Sequence, residues 1–161
     1  MKIVSNASPL IFLAKIERLD LLNNYEIIIP KQVEEEIDKG TETGKEDVQK
    51  IKALIGKNII KVEETEINKE IESQSLGKGE KAAISLAISK KIDVVLLDER
   101  KARRLAKFHD LKPKGTIGVL IEAYKSKKIN KKELAGLTEK LIEEGYRINE
   151  SLIIKLLNGI E

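Results

Sequence analysis

The stretch Val94-Val95-Leu96-Leu97-Asp98 decides the fold. Its four apolar residues show no polar alternation, which implies a strand buried on both faces, as at the centre of a parallel sheet. Asp98 closes that strand, and a basic helix, Glu99 to Phe108, opens at once. Just upstream, Gly77-Lys78-Gly79 introduces a helix over Glu80 to Lys90, with Ala83, Ile84, Ala87 and Ile88 on its packed face.

Further upstream, Lys2 to Ser5 reads as a buried first strand. A helix follows from Ser8, where Pro9 suits the first turn and Leu10, Leu13 and Ile16 share one face, extended by Leu19 and Leu22. Glu26 to Ile29 is a second strand stopped by Pro30, and Lys31 to Lys39 a helix ended by Gly40. Residues 40–46 read as a polar loop, Asp47 to Ile55 as a helix, Ile59 to Val62 as a third strand, and 66–75 as weakly helical at best. Downstream, Lys112 to Lys114 makes a last short strand, and Gly115-Thr116 turns into a helix through about Ser126. Helical segments at Lys131 to Glu144 and about Asn149 to Leu157 complete the chain. Strands alternating with helices make this an α/β protein with a small parallel sheet of four to five strands flanked by helices. Its 161 residues, with no internal repeat or low-complexity linker, are expected to form one domain over 1–161.

The composition excludes several chemistries. Zero cysteines remove disulfide scaffolds, zinc knuckles, iron–sulfur sites and thiol nucleophiles, and the one histidine, His109, removes any mechanism that needs a pair. The net charge of +3 is not that of a basic tail protein. No apolar run approaches the roughly 18 residues of a membrane helix, and the N-terminus lacks a signal pattern, so a cytoplasmic protein is expected. Isoleucine, lysine and glutamate dominate. A hot environment or an AT-rich genome would each give that bias.

Ligands of an open parallel sheet bind beyond the carboxyl ends of its strands. Asn6 follows the first strand there and Asp98 the central one, while Glu80 begins a helix that leads back into the sheet from the same edge. Glu36 lies about two turns along its helix and joins them only if that helix tilts over the edge. Three carboxylates and an amide cannot stay ionised and close without a cation. With oxygen ligands only, Mg²⁺ or Mn²⁺ is expected rather than zinc, and phosphodiester hydrolysis is the matching reaction. Lys78 and Lys81 flank Glu80, and Arg100, Lys101, Arg103, Arg104 and Lys107 crowd the helix after Asp98, so cations stand ready to grip phosphates. Five aromatic residues are too few for a base-stacking platform.

Five segments carry a family resemblance: Val4-Ser5-Asn6-Ala7-Ser8-Pro9-Leu10-Ile11; Ile29-Pro30 followed by Val33 to Ile37; Gly77-Lys78-Gly79-Glu80-Lys81-Ala82-Ala83-Ile84; Val94 to Asp98 with Glu99-Arg100-Lys101-Ala102-Arg103; and Gly115-Thr116-Ile117-Gly118-Val119-Leu120. They span about residues 3–120, in order, and the sequence resembles PIN domains, specifically a prokaryotic branch related to the toxin nucleases of toxin–antitoxin pairs. The resemblance implies a three-layer fold and a metal-dependent ribonuclease site. Glu36, Glu80 and Asp98 match its second, third and fourth acidic positions, and Asn6 stands at the first, where the family usually has aspartate. An amide oxygen can ligate a metal but brings no negative charge. Ser8 and Thr116 fall where the family tends to have hydroxyls near the site.

Each feature also has a plainer explanation. Glu34-Glu35-Glu36 is the kind of run that marks a solvated helix face, Glu80 suits a helix dipole, and Asp98 and Asn6 could each simply cap the following helix. Gly77-Lys78-Gly79 is not a phosphate loop, since the G-x-x-x-x-G-K-[ST] pattern is absent. Gly115-Thr116 could hold a phosphate or be an ordinary cap.

The expected function is cleavage of single-stranded RNA at a Mg²⁺ or Mn²⁺ site formed by Asn6, Glu36, Glu80 and Asp98, with Ser8, Lys78, Lys81, Arg100, Arg103, Arg104 and Thr116 on the RNA. A protein inhibitor of antitoxin type is the implied partner. Ile148, Leu152, Leu156 and Ile160 could form a homodimer surface. The alternative is a catalytically weak module that binds nucleic acid or a protein partner. A phosphoacceptor signalling domain fits poorly, because the first strand ends in Ser5-Asn6 rather than paired acids.

Overall fold

The computed structural model describes residues 1–41, 46–149 and 152. β1 (Lys2–Ser5), β2 (Glu26–Pro30), β3 (Ile60–Glu63), β4 (Val94–Leu96) and β5 (Lys112–Lys114) form one sheet in the order β3-β2-β1-β4-β5, every pair parallel. Between them run α1 (Ala7–Lys15), α2 (Lys31–Thr41), α3 (Glu46–Gly56), α4 (Lys69–Glu72), α5 (Lys78–Lys90) and α6 (Arg100–Phe108), followed by α7 (Thr116–Lys125) and α8 (Lys131–Glu143).

Alternation along the strands divides the interior in two. Ile3, Ile27, Ile29 and Leu96 pack with α1, α2, α3, α7 and α8 on one face, while Val4, Ile28, Val95 and Leu97 pack with α4, α5 and α6 on the other. The result is three layers. Val95, Leu96 and Leu97 are almost wholly buried, as expected of a strand covered on both sides. No helix among the described residues is long and apolar enough to cross a membrane.

Element ends differ from the sequence reading by a residue or two, with physical reasons. Gly40 does not end its helix, which continues to Thr41. There the absent Cβ makes room, since Val48 Cγ2 lies 2.7 Å from where it would stand. Residues 69–72 do form a helical turn, because the Asn68 side chain accepts from the Glu70 N–H (2.9 Å) and Ile71 is fully buried. The helix expected over about Asn149 to Leu157 lies, apart from Asn149 and Leu152, outside the described residues. Ile148 and Leu152 pack against the chain's own core, and Leu156 and Ile160 are outside the described residues.

The strand order fixes where a site can be. The chain winds outward from β1 through β2 to β3, then returns to β1's other side for β4 and β5. The order therefore reverses between β1 and β4, and the loops leaving them part to open a crevice at their carboxyl ends.

Candidate functional site

Asn6 and Asp98 emerge side by side at that crevice. Ser5 is in register with Leu96, and the Asn6 N–H donates to the Leu96 carbonyl at 3.0 Å. Asn6 stands before the first turn of α1 in extended conformation, yet its side chain caps nothing. It is 7% exposed, and its Oδ1 is buried with no hydrogen-bond partner. A buried acceptor left in that state costs about 1–3 kcal/mol, so the amide is not there to start the helix.

Asp98 does not cap α6 either; Glu99 stands at that position. The Asp98 carboxylate instead gathers four donors. Oδ1 accepts from the Thr116 N–H (2.7 Å) and the Tyr146 hydroxyl (2.8 Å), and Oδ2 from the hydroxyls of Ser8 (3.0 Å) and Thr116 (2.8 Å). This ties together the starts of α1 and α7 and the segment after α8. Behind it, Arg103 Nη1 donates to the carbonyls of Leu97 and Asp98.

Glu80 sits in the first turn of α5, only 8% exposed, its Oε1 accepting from the Gly77 N–H at 3.1 Å. Burial pushes its carboxyl up to about 7, helped by a hydrogen bond with Glu99 and by the charges of Glu99 and Glu36, against the opposing Gly77 N–H. Glu36 does reach this edge, but from behind. Its Oε1 accepts from the Gly79 N–H at 3.0 Å, so close that a Cβ on Gly79 would stand 2.4 Å from that oxygen.

Asn6, Ser8, Glu80, Asp98 and Glu99 line one open pocket of about 410 Å³, with Phe12 and residues Gly145 to Arg147 along its wall. Glu36 is not among its lining. Tyr146 meets Phe12 edge-on at 5.0 Å, and burial, then the charge and hydrogen bond of Asp98, raise its pKa well above the usual tyrosine range. A larger cavity, about 640 Å³, lies beyond the far end of α7 among Lys125, Lys127, Lys128 and Lys131, away from every candidate carboxylate.

Of the basic residues, Lys78, Arg100 and Arg104 are exposed, whereas Lys81 donates to the Glu72 carbonyl at 2.7 Å and Arg103 faces the backbone of the β4 end. Sequence reasoning missed five residues of the pocket: Phe12, Glu99, Gly145, Tyr146 and Arg147. Glu99 was within reach of it, as the neighbour of Asp98. Tyr146 lies beyond the motifs, and no local pattern points to it.

The donors are all oxygens, which suits a hard divalent cation, and the unpartnered Asn6 Oδ1 is an acceptor awaiting one. In chemistry the residues fit Mg²⁺ or Mn²⁺. As the side chains lie, no three carboxylate or imidazole groups among the described residues stand close enough together to hold a metal.

Three layers around an all-parallel sheet, with an acidic pocket where the strand order reverses, define a three-layer α/β protein. Residues 2–161 match a family model described as a PIN domain, and the chain belongs to the PIN domain family. No curated protein and no solved structure matches it. PIN domains are typically dependent on a divalent metal ion.

Proposed function

We propose that the chain is a metal-dependent ribonuclease that hydrolyses phosphodiester bonds in single-stranded RNA. The observation that carries this reading is the Asn6 amide, buried with Oδ1 unpartnered, in one pocket with the carboxylates of Glu80 and Asp98. Asn6 and Glu80 would hold Mg²⁺ or Mn²⁺, Asp98 would frame the pocket through the four groups that donate to it, and the bound ion would activate water and neutralise charge on the phosphoryl group. Glu36, by holding the Gly79 N–H, fixes the start of α5 and with it Glu80. Ser8 and Thr116 orient Asp98 through their hydroxyls. The exposed Lys78, Arg100 and Arg104 would grip phosphates, while Lys81 and Arg103, whose donors meet backbone carbonyls, steady the elements that present them. The whole chain would act as one cytoplasmic domain, under a protein inhibitor of antitoxin type and with a second copy as a further partner.

The test is cleavage of a single-stranded RNA oligonucleotide with and without Mg²⁺ or Mn²⁺. Cutting is expected only with the ion, and Asp98→Asn and Glu80→Gln should each lower it at least about a hundredfold. Cutting that persists in chelator, or in Asp98→Asn, contradicts the reading.

A second reading, a nucleic-acid-binding module with faded catalysis, is favoured by the four hydrogen bonds that already occupy Asp98. It predicts RNA binding without cutting, and gain of cutting in Asn6→Asp.

A further inference from the structure

Three of the four positions expected to hold a cation are short of free negative oxygen. Asn6 is neutral. Asp98 has two donors on each carboxylate oxygen, which takes up the lone pairs of both. Glu36 is turned to the Gly79 N–H and does not line the pocket. A doubly charged ion would then find one available carboxylate, Glu80, and the neutral Asn6 oxygen. Most hard-cation sites offer more charge than that.

Glu99 changes this count. It stands before the first turn of α6 with no capping hydrogen bond from its side chain, so α6 has no local use for it. It lines the same pocket as Asn6, Glu80 and Asp98. Asn6 lines that pocket and its Oδ1 is buried without a hydrogen-bond partner, the independent sign that something with a positive charge or a donor belongs beside it. We propose that Glu99 supplies the carboxylate that position 6 lacks, so that a divalent cation binds between Asn6 Oδ1 and the Glu80 and Glu99 side chains, with Asp98 holding the surrounding frame. This rests on the metal-dependent reading above and names a ligand that reading did not contain.

The experiment is Mn²⁺ titration of the full-length protein by calorimetry, on four chains: the unaltered protein, Glu99→Gln, Asn6→Asp, and the double variant. Glutamine at 99 keeps the size and can still donate to Glu80, so it removes charge with little disturbance; thermal melting confirms that each variant is folded. Glu99→Gln should weaken Mn²⁺ about tenfold or more. Asn6→Asp should tighten it, and the double variant should return close to the unaltered affinity, because the charge is restored from the other side of the pocket. Unchanged affinity in Glu99→Gln, or a double variant as weak as Glu99→Gln alone, overturns the assignment of Glu99 and leaves the metal-dependent reading standing. Failure of the unaltered protein to bind Mn²⁺ at millimolar concentration overturns both.

Discussion

Glu80 is a carboxyl removed from water with a second carboxyl against it, and its titration is a property of the folded state. Its folded pKa, about 7, lies above the ordinary glutamate value, so the folded protein holds a proton there that the unfolded chain has already released. The stability this contributes is complete below about pH 4.5 and is lost as pH rises through 7. In metal-free protein, unfolding by urea should show stability falling on the order of 2 kcal/mol between pH 5 and pH 8 from this group. Glu80→Gln should flatten that dependence, because glutamine is neutral throughout; an unaltered slope in the variant would assign it elsewhere. Asn6, Glu80 and Asp98 were legible in the sequence, because each sits where a strand ends or a helix begins and topology alone brings such positions to one edge. The availability of their oxygens was not. That Asp98 is encircled depends on Ser8, Thr116 and Tyr146, which are distant in sequence and meet only in the fold.

Among the elements, the strands and helices were readable wherever burial repeats with a fixed period, as in β4 and α5. Boundaries slipped where a tertiary contact overrides local preference. Gly40 continues a helix because Val48 packs against it, and Ile71 anchors a turn that its polar surroundings barely announce. The segment after α8 was the least readable. Gly145, at φ +94°, turns the chain back over the pocket, a conformation that favours glycine. Tyr146 then anchors the turn by its ring on Phe12 and its hydroxyl on Asp98. Tyr146→Phe keeps the ring and removes the hydroxyl, so it should cost about 1–2 kcal/mol, seen as a melting temperature lower by a few degrees. A variant as stable as the original would mean that the hydroxyl does not hold this segment.

At the scale of the molecule, the order β3-β2-β1-β4-β5 is what brings residues from opposite ends of the chain into one pocket. β1 lies at the centre of the sheet although it comes first in sequence, so Asn6 meets Asp98 across 92 residues and the return segment at Tyr146 closes over both. Two cores, one on each face of the sheet, keep the strand ends from moving apart, and the pocket takes its shape from that frame. The most direct test is anomalous scattering from crystals of the protein soaked in Mn²⁺. One peak is predicted in the pocket, within about 2–2.6 Å of Asn6 Oδ1 and of a carboxylate oxygen of Glu80. A protein that cuts RNA while its manganese peak lies elsewhere, or while this pocket stays without one, would contradict the account.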